Sequence, residues 1–267
     1  MLTAGWVSMA DFAEPVLSAC IVMYHPGMQL LQTVRCFQES DIELELHAVD
    51  NAPDGTLSIH MQWQCPGIRY YPQQRNLGYS GGHDLVLSYL YSRYHLLCHP
   101  DVTFDPYLLS RMVAFMDDNP GCIILSPKFV DPNGHELPVP RRLPTLKYLL
   151  GAWLRRLPGP FQRWYDEYTM AETDFRGPSS VEAADGSFLL IRTDALLQLR
   201  GLDPRYFYRH GDSDLSRRAL DLGSIVYHPD MVVTHHQTAK SRNLPEICKR
   251  LGNSLRFLNQ YGWNGAK

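Results

Sequence analysis

Residues 17–51 read LSACIVMYHPGMQLLQTVRCFQESDIELELHAVDN, and their pattern decides the fold. Leu17 to Met23 form a short apolar run, as a buried strand requires, and His25-Pro26-Gly27 interrupts it. Met28, Leu31, Val34 and Phe37 then recur at helical spacing over 28–38. Residues 43–49 (ELELHAV) alternate and turn apolar, as a second strand would, with Asp50 and Asn51 at its C-terminal end. Strand, helix, strand is a βαβ unit, whose strands lie parallel and whose crossover is right-handed.

The alternation continues outward. Ile68 to Tyr71 read as a third strand, 81–94 as a helix, Leu96–Cys98 as a fourth strand, 106–118 as a helix and 122–126 (CIILS) as a fifth strand. The expected class is α/β, a mainly parallel sheet flanked by helices on both faces. Ligands of such sheets bind outside the C-terminal strand ends. Asp50-Asn51, Arg75-Asn76 and His99-Pro100-Asp101 fall on that edge. The second half carries a strand at 186–191 (GSFLLI), a short helix at 212–222, a strand ending at Val232-Val233 before His235, and a final helix over 245–260. There is no internal repeat.

The 267 residues are 45% hydrophobic, enough to bury a sizeable core, and the net charge of -3 excludes the strongly basic balance of a nucleic-acid binder. Six scattered cysteines, at 20, 36, 65, 98, 122 and 248, form no CxxC pair and read as reduced thiols. No stretch has the roughly 18 uncharged apolar residues of a membrane span. Met1 to Pro15 lacks a basic residue, so no signal peptide is expected and the cytoplasm is the expected location.

Five places offer chemistry, each with a structural alternative. Asp50 either accepts the imide N–H of a pyrimidine base or caps the next turn with Asn51. Asn76-Leu-Gly-Tyr-Ser-Gly-Gly-His-Asp84 is a glycine-rich turn opening a helix, suited to a diphosphate, or else an ordinary turn. His99-Pro-Asp101 follows an apolar strand and either binds a divalent cation or makes a capped proline turn. Asp212 and Asp214 stand at i and i+2 of a helix start and cannot share a face. One suits a general base and the other packs or pairs with Arg217 or Arg218; the alternative is a helix cap. His235-His236, near Lys240 and Arg242, suit a metal and a diphosphate, or are solvated surface groups. Residues 139–164 carry Arg141, Arg142, Lys147, Arg155, Arg156 and Arg163 without an acid, among Leu146, Tyr148, Leu149, Leu150, Trp153, Leu154 and Leu157. Pro144 and Pro158 bracket a helix there, which either meets an anionic membrane or packs beneath an acceptor site.

In this order the motifs resemble family 2 of the inverting glycosyltransferases, which have the GT-A fold, and within it the bacterial rhamnosyltransferase-like branch of O-antigen and capsule assembly. The resemblance runs from about Leu17 to Ser241, through Val22-Met-Tyr24, Val49-Asp-Asn51, Asn76-Leu-Gly-Tyr, Gly82-His-Asp84, His99-Pro-Asp101, Gly186 with Leu189-Leu-Ile-Arg192, Gly201-Leu-Asp-Pro-Arg-Tyr-Phe207, Asp212-Ser-Asp-Leu215, Tyr227-His-Pro229 and His235. It implies a GT-A-type, Rossmann-like sheet with a smaller C-terminal acceptor-side lobe: 1–135 as the nucleotide-sugar half, and 136–267 as the acceptor-side half with the C-terminal helix of the same domain. It implies Asp212 as catalytic base and Asp101, His235 and His99 as ligands of Mg2+ or Mn2+ at a degenerate DxD motif. Tyr24, Asp50, Asn51, Arg75, Asn76, Gly78, Asp84, Lys240 and Arg242 are the implied nucleotide-sugar contacts, and Asp185, Gly186 and Tyr208 the acceptor-side residues. The implied partners are a dTDP- or UDP-sugar and a polyprenol- or lipid-linked saccharide; the charge balance excludes nucleic acid, and residues 139–164 add an expected peripheral contact at the inner face of the cytoplasmic membrane. Three positions depart from the pattern: His99 for a usual Asn, Asp84 for Asn, and Gly211 for the Glu before the base. The alternatives are a non-catalytic sugar-nucleotide-binding scaffold and a nucleotidyltransferase. The latter usually has an N-terminal glycine- and arginine-rich loop, for which 17–30 offer only His25-Pro-Gly27.

Overall fold

A computed structural model describes residues 15–53, 56–138, 140–207, 209–236 and 244–264. Its opening unit is β1 (Leu17–Met23), α1 (Gln29–Gln38) and β2 (Leu44–Asp50), with β1 and β2 parallel. Next come α2 (Thr56–Gln64), β3 (Arg69–Pro72), α3 (Gly78–Asp84), a 3-10 turn at Leu87–Tyr89 and β4 (Tyr94–Cys98). The chain continues as β5 (Val102–Phe104), α4 (Leu108–Asp118), β6 (Cys122–Val130), α5 (Leu146–Leu154) and α6 (Phe161–Tyr168). It ends with β7 (Ser179–Ser180), β8 (Phe188–Arg192), α7 (Thr193–Gln198), α8 (Gly211–Ala219), β9 (Ser224–His235) and α9 (Leu244–Tyr261).

All nine described strands form one sheet in the order β3-β2-β1-β4-β8-β6-β9-β5, with β7 beside β9. Strands β3, β2, β1 and β4 are parallel, as the βαβ reading requires, and so are β6 and β9. Strand β8 runs antiparallel between β4 and β6, and β5 and β7 pair antiparallel with β9. The sheet therefore crosses the division expected near residue 135.

Both faces are buried, which is why the central strands are continuously apolar. In β8 the side chains alternate between two cores. Phe188 and Leu190 join Ile21, Leu96 and Met112 on one face; Leu189 and Ile191 join Val22, Leu97, Leu196 and Leu215 on the other.

The helix expected over 81–94 is shorter and breaks. Its glycines weaken helix propagation, and the chain must extend by Tyr94 to pair with Leu17. Helix α3 starts at Gly78, in the left-handed region at φ 74°, where a side chain would collide with the Phe207 carbonyl. Among the described residues no helix is long and apolar enough to cross a membrane. Cys20, Cys36, Cys65, Cys98 and Cys122 are all free thiols, as the spacing suggested.

Candidate active site

The site lies where β4, β5, β8 and β9 meet. Strand β4 ends at Cys98, opposite Phe188 of β8, and the next rung is the His99 N–H donating to the Ser187 carbonyl at 2.9 Å. The antiparallel run of β8 thus delivers Asp185-Gly186-Ser187 to the side of His99. Strand β5 pairs Val102 with His235 of β9, and the His236 N–H donates to the Asp101 carbonyl at 2.8 Å. These two pairings bring together residues distant in sequence.

His99, Asp101 and His235 each offer a ligand atom, and the three atoms lie within 4.8 Å of one another. Asp101 Oδ1 is 3.2 Å from His235 Nε2 and 3.9 Å from His99 Nδ1. His235 is buried and the other two are half-buried. Two imidazoles and a carboxylate are a mixed N/O donor set, which suits Mn2+ better than the oxygen-preferring Mg2+. The residues fit a divalent cation.

Beside this cluster stands a second constellation. Asp185 accepts from Arg141 Nη2 at 3.0 Å through one oxygen, and from the Ser187 N–H and hydroxyl at 3.0 and 2.5 Å through the other. Burial alone would raise its carboxyl. Arg141, Ser187 and the nearby His99 and His235 outweigh burial and hold it well below the usual carboxylate range.

Asp212 sits in the first turn of α8. Its Oδ2 accepts from the Gly186 N–H at 3.3 Å and its Oδ1 from the Ser213 N–H at 2.8 Å. Burial raises its pKa and the Asp185 charge adds to the rise, while Arg141 pulls against both. Gly186 is a steric requirement, since a side chain there would meet the Tyr79 hydroxyl and Asp212 Cβ. The Tyr79 hydroxyl donates to the Gly186 carbonyl at 2.5 Å, and its ring lies edge-on to His99.

Asp214 has the other role expected of the pair. It is fully buried and accepts from Arg218 at 2.7 and 2.9 Å, from the Tyr261 hydroxyl at 2.5 Å and from Gln260 at 3.3 Å. It ties α8 to α9.

The remaining sequence candidates are more dispersed. Asp50 is buried, and its carboxylate accepts from the Ala52 N–H, the Ser58 hydroxyl and the Tyr70 hydroxyl. Asn51 donates to the Gly78 carbonyl and accepts from the Leu77 N–H, joining the end of β2 to α3. Asn76 accepts from the Gly78 N–H. Tyr24 is exposed with its ring against His25, and Arg75 is exposed after β3.

Asp84 accepts from the Leu202 N–H at 2.8 Å, so it braces the turn at Gly201. Burial, countered by that N–H and by Arg218, pushes it up to about 7. Tyr208, Lys240 and Arg242 lie outside the described residues.

Sequence reading missed Arg141 and Tyr79 as site residues. Arg141 belongs by sequence to the basic stretch over 139–164, yet its side chain turns to Asp185. Four of its six cations pair with acids outside the stretch: Arg141 with Asp185, Arg142 with Glu182, and Lys147 and Arg163 with Glu167.

Solved structures share this fold. The mannosyltransferase PcManGT from Pyrobaculum calidifontis, in complex with GDP-Man and Mn2+, superposes at TM-score 0.63 with 14% identity over 93% of this chain and 64% of its own. GalNAc-T7 with UDP, GalNAc and Mn2+ gives 0.67 and 14% over 92% and 48%, and S. aureus TarS 1-349 gives 0.58 and 15% over 82% and 60%. The chain spans less than two thirds of the length of each. The fold is therefore the GT-A glycosyltransferase fold. In sequence, the profile described as "Glycosyl transferase family 2" matches residues 18–199, and the chain belongs to that family. The N-acetylglucosaminyl-diphospho-decaprenol L-rhamnosyltransferase of Mycobacterium tuberculosis (strain CDC 1551 / Oshkosh) is 28% identical over 242 residues, covering 83% of this chain and 76% of the relative.

Proposed function

We propose that this family 2 glycosyltransferase moves a sugar, with rhamnose the first candidate, from a dTDP- or UDP-linked donor to a lipid-linked saccharide, with inversion, in bacterial surface polysaccharide synthesis. The observation that carries the reading is a partly buried carboxylate, Asp212, held by Gly186 beside the His99–Asp101–His235 cluster. The mycobacterial relative, whose name gives rhamnosyl transfer to a diphospho-decaprenol sugar, supports the choice of sugar and acceptor.

An acceptor hydroxyl is a poor nucleophile near neutral pH. Asp212 takes its proton as the new C–O bond forms, and its raised pKa brings its basicity closer to the working pH. The bond to the diphosphate breaks with its electron pair on the leaving oxygen, and attack from the opposite face inverts the anomeric carbon. Held by Asp101, His235 and His99, a divalent cation would stabilise charge on the departing diphosphate. Arg141 fixes Asp185 against Ser187, at the side where the acceptor approaches. Residues 1–135, with Tyr24, Asp50, Asn51, Arg75, Asn76 and Gly78, bind the donor, helped by Lys240 and Arg242, and 136–267 bind the acceptor. The enzyme works at the inner face of the cytoplasmic membrane.

The test is a panel of nucleotide sugars incubated with a membrane lipid extract and scored for nucleoside diphosphate release. Release that needs the lipid extract, with one donor preferred, is expected. A protein that binds nucleotide sugars but releases no diphosphate with any donor is a scaffold instead.

A further inference from the structure

Helices α5 and α6 pack on each other as a hairpin. Its base is joined to the site: the Arg142 N–H donates to the Tyr168 carbonyl at 2.9 Å, and the neighbouring Arg141 holds Asp185. The helices pack through Gly151, where a side chain would meet the α6 backbone at Tyr165, and through Tyr148 stacked on Tyr168. The nine residues of α5 carry the chain ~13 Å from that base at 1.5 Å per residue.

The tip, residues 153–163, reads WLRRLPGPFQR. Trp153 is 49% exposed and Leu157 56%. Arg155, Arg156 and Arg163 are exposed around them. Arg163 reaches Glu167, whereas among the described residues Arg155 and Arg156 have no acid within 4.0 Å; Arg155 lies over the Tyr165 ring, 4.6 Å from its centroid, and so keeps its charge while Arg156 stands clear. No acidic residue occurs between Leu137 and Tyr165. Large apolar side chains are thus displayed next to two guanidinium groups without an acid partner among the described residues, at the turn of the hairpin. A protein-core explanation fails for them, because they are not in the core.

We propose that this tip docks on the anionic surface of a lipid bilayer, with Trp153 and Leu157 entering the headgroup region and Arg155 and Arg156 pairing with lipid phosphates. Indole rings favour that interface, and guanidinium groups match phosphate. The proposal rests on the lipid-linked acceptor of the proposed function, since docking here sets the hairpin base, and Asp185 beyond it, near the membrane surface. Its occupant is chosen by charge: the tip is cationic and apolar at once, which a neutral protein surface does not require.

The experiment is co-sedimentation of the full chain with vesicles of phosphatidylcholine alone or mixed with phosphatidylglycerol, at low and high salt. Binding is expected to require phosphatidylglycerol and to weaken with salt. Each arginine at an anionic surface contributes roughly fivefold in partitioning, so Arg155→Glu/Arg156→Glu should lower it at least ~10-fold. Trp153→Ala/Leu157→Ala should lower it while leaving thermal unfolding unchanged, because these side chains are exposed. Equal binding by wild type and both variants, equal binding to neutral vesicles, or no vesicle binding would overturn the proposal. So would a wild type that forms a dimer dissolved by the tip variants, which would make the tip a contact between copies. The readout needs no turnover, so failure of the transferase reading leaves it separately measurable.

Discussion

Asp212 and Asp214 are two positions apart and chemically opposite. At 100° per residue a helix turns them apart, so Asp212 meets Gly186 at the site and Asp214 meets Arg218 and Tyr261 in the interior. Asp212→Asn keeps the shape and removes the basicity. Turnover should fall at least ~10²-fold with donor binding retained, as measured by steady-state rates and by nucleotide titration. Asp214→Asn should instead cost stability, roughly 1–3 kcal/mol by denaturant unfolding, because it removes the buried charge that accepts from Arg218 and the Tyr261 hydroxyl. A stable, inactive Asp214→Asn with a fully active Asp212→Asn would reverse the two roles. Both acids were legible because they open a helix within a recognisable motif. Arg141 was not: its partner Asp185 lies 44 residues downstream, and nothing local marks one arginine of a basic run as turned inward. A side chain at position 211 would strike the Ser80 hydroxyl, so glycine suits the place before Asp212.

At the scale of elements, the parallel strands were legible and the antiparallel ones were not. An apolar run such as Phe188–Arg192 predicts burial but carries no sign of its direction, and β5 has only three residues. Yet these strands assemble the candidate metal site, by setting His99 beside Ser187 and Val102 opposite His235. Asp101→Ala should weaken both turnover and nucleoside diphosphate binding, and EDTA should reproduce the effect on the wild type. Full activity in EDTA would overturn the metal site and leave His99, Lys240 and Arg242 as the cations that serve the diphosphate. Helix α5 followed its sequence more closely. Pro144 precedes it, and the N-cap is Thr145, whose hydroxyl accepts from the Tyr148 N–H at 3.3 Å. Thr145→Ala should cost ~1 kcal/mol, visible as a lower Tm with the active-site kinetics unchanged.

The whole molecule holds several neutral histidines in its interior. Burial is the leading cause that pushes His47 and His210 down to about 4, His95 to about 3 and His83 well below its ordinary value. Unfolding returns each to about 6.5, so below that pH the unfolded chain binds more protons and stability rises with pH. Their contribution is fully present above pH 6.5 and is lost as pH falls toward 4 and 3, by up to ~1.4 kcal/mol per pH unit for each residue. Asp84, raised to about 7, works in the opposite sense over pH 7 to 4 and cancels roughly one of the four. Urea unfolding at pH 7 and pH 5 should therefore show a drop of several kcal/mol. A flat profile over that interval would mean that these imidazoles reach solvent or a partner in the folded protein.

The candidate metal cluster also has a consequence for the protein during its synthesis. Its first two members emerge from the ribosome with β4 and β5, but His235 arrives only at the end of β9, which among the described residues is the strand that pairs with β5. At ~5–20 residues per second, the first half waits roughly 7–30 s for the residue that completes the triad. A nascent chain can form the early βαβ layers throughout that interval and still lack the cluster, so the candidate site is complete only when translation has passed β9.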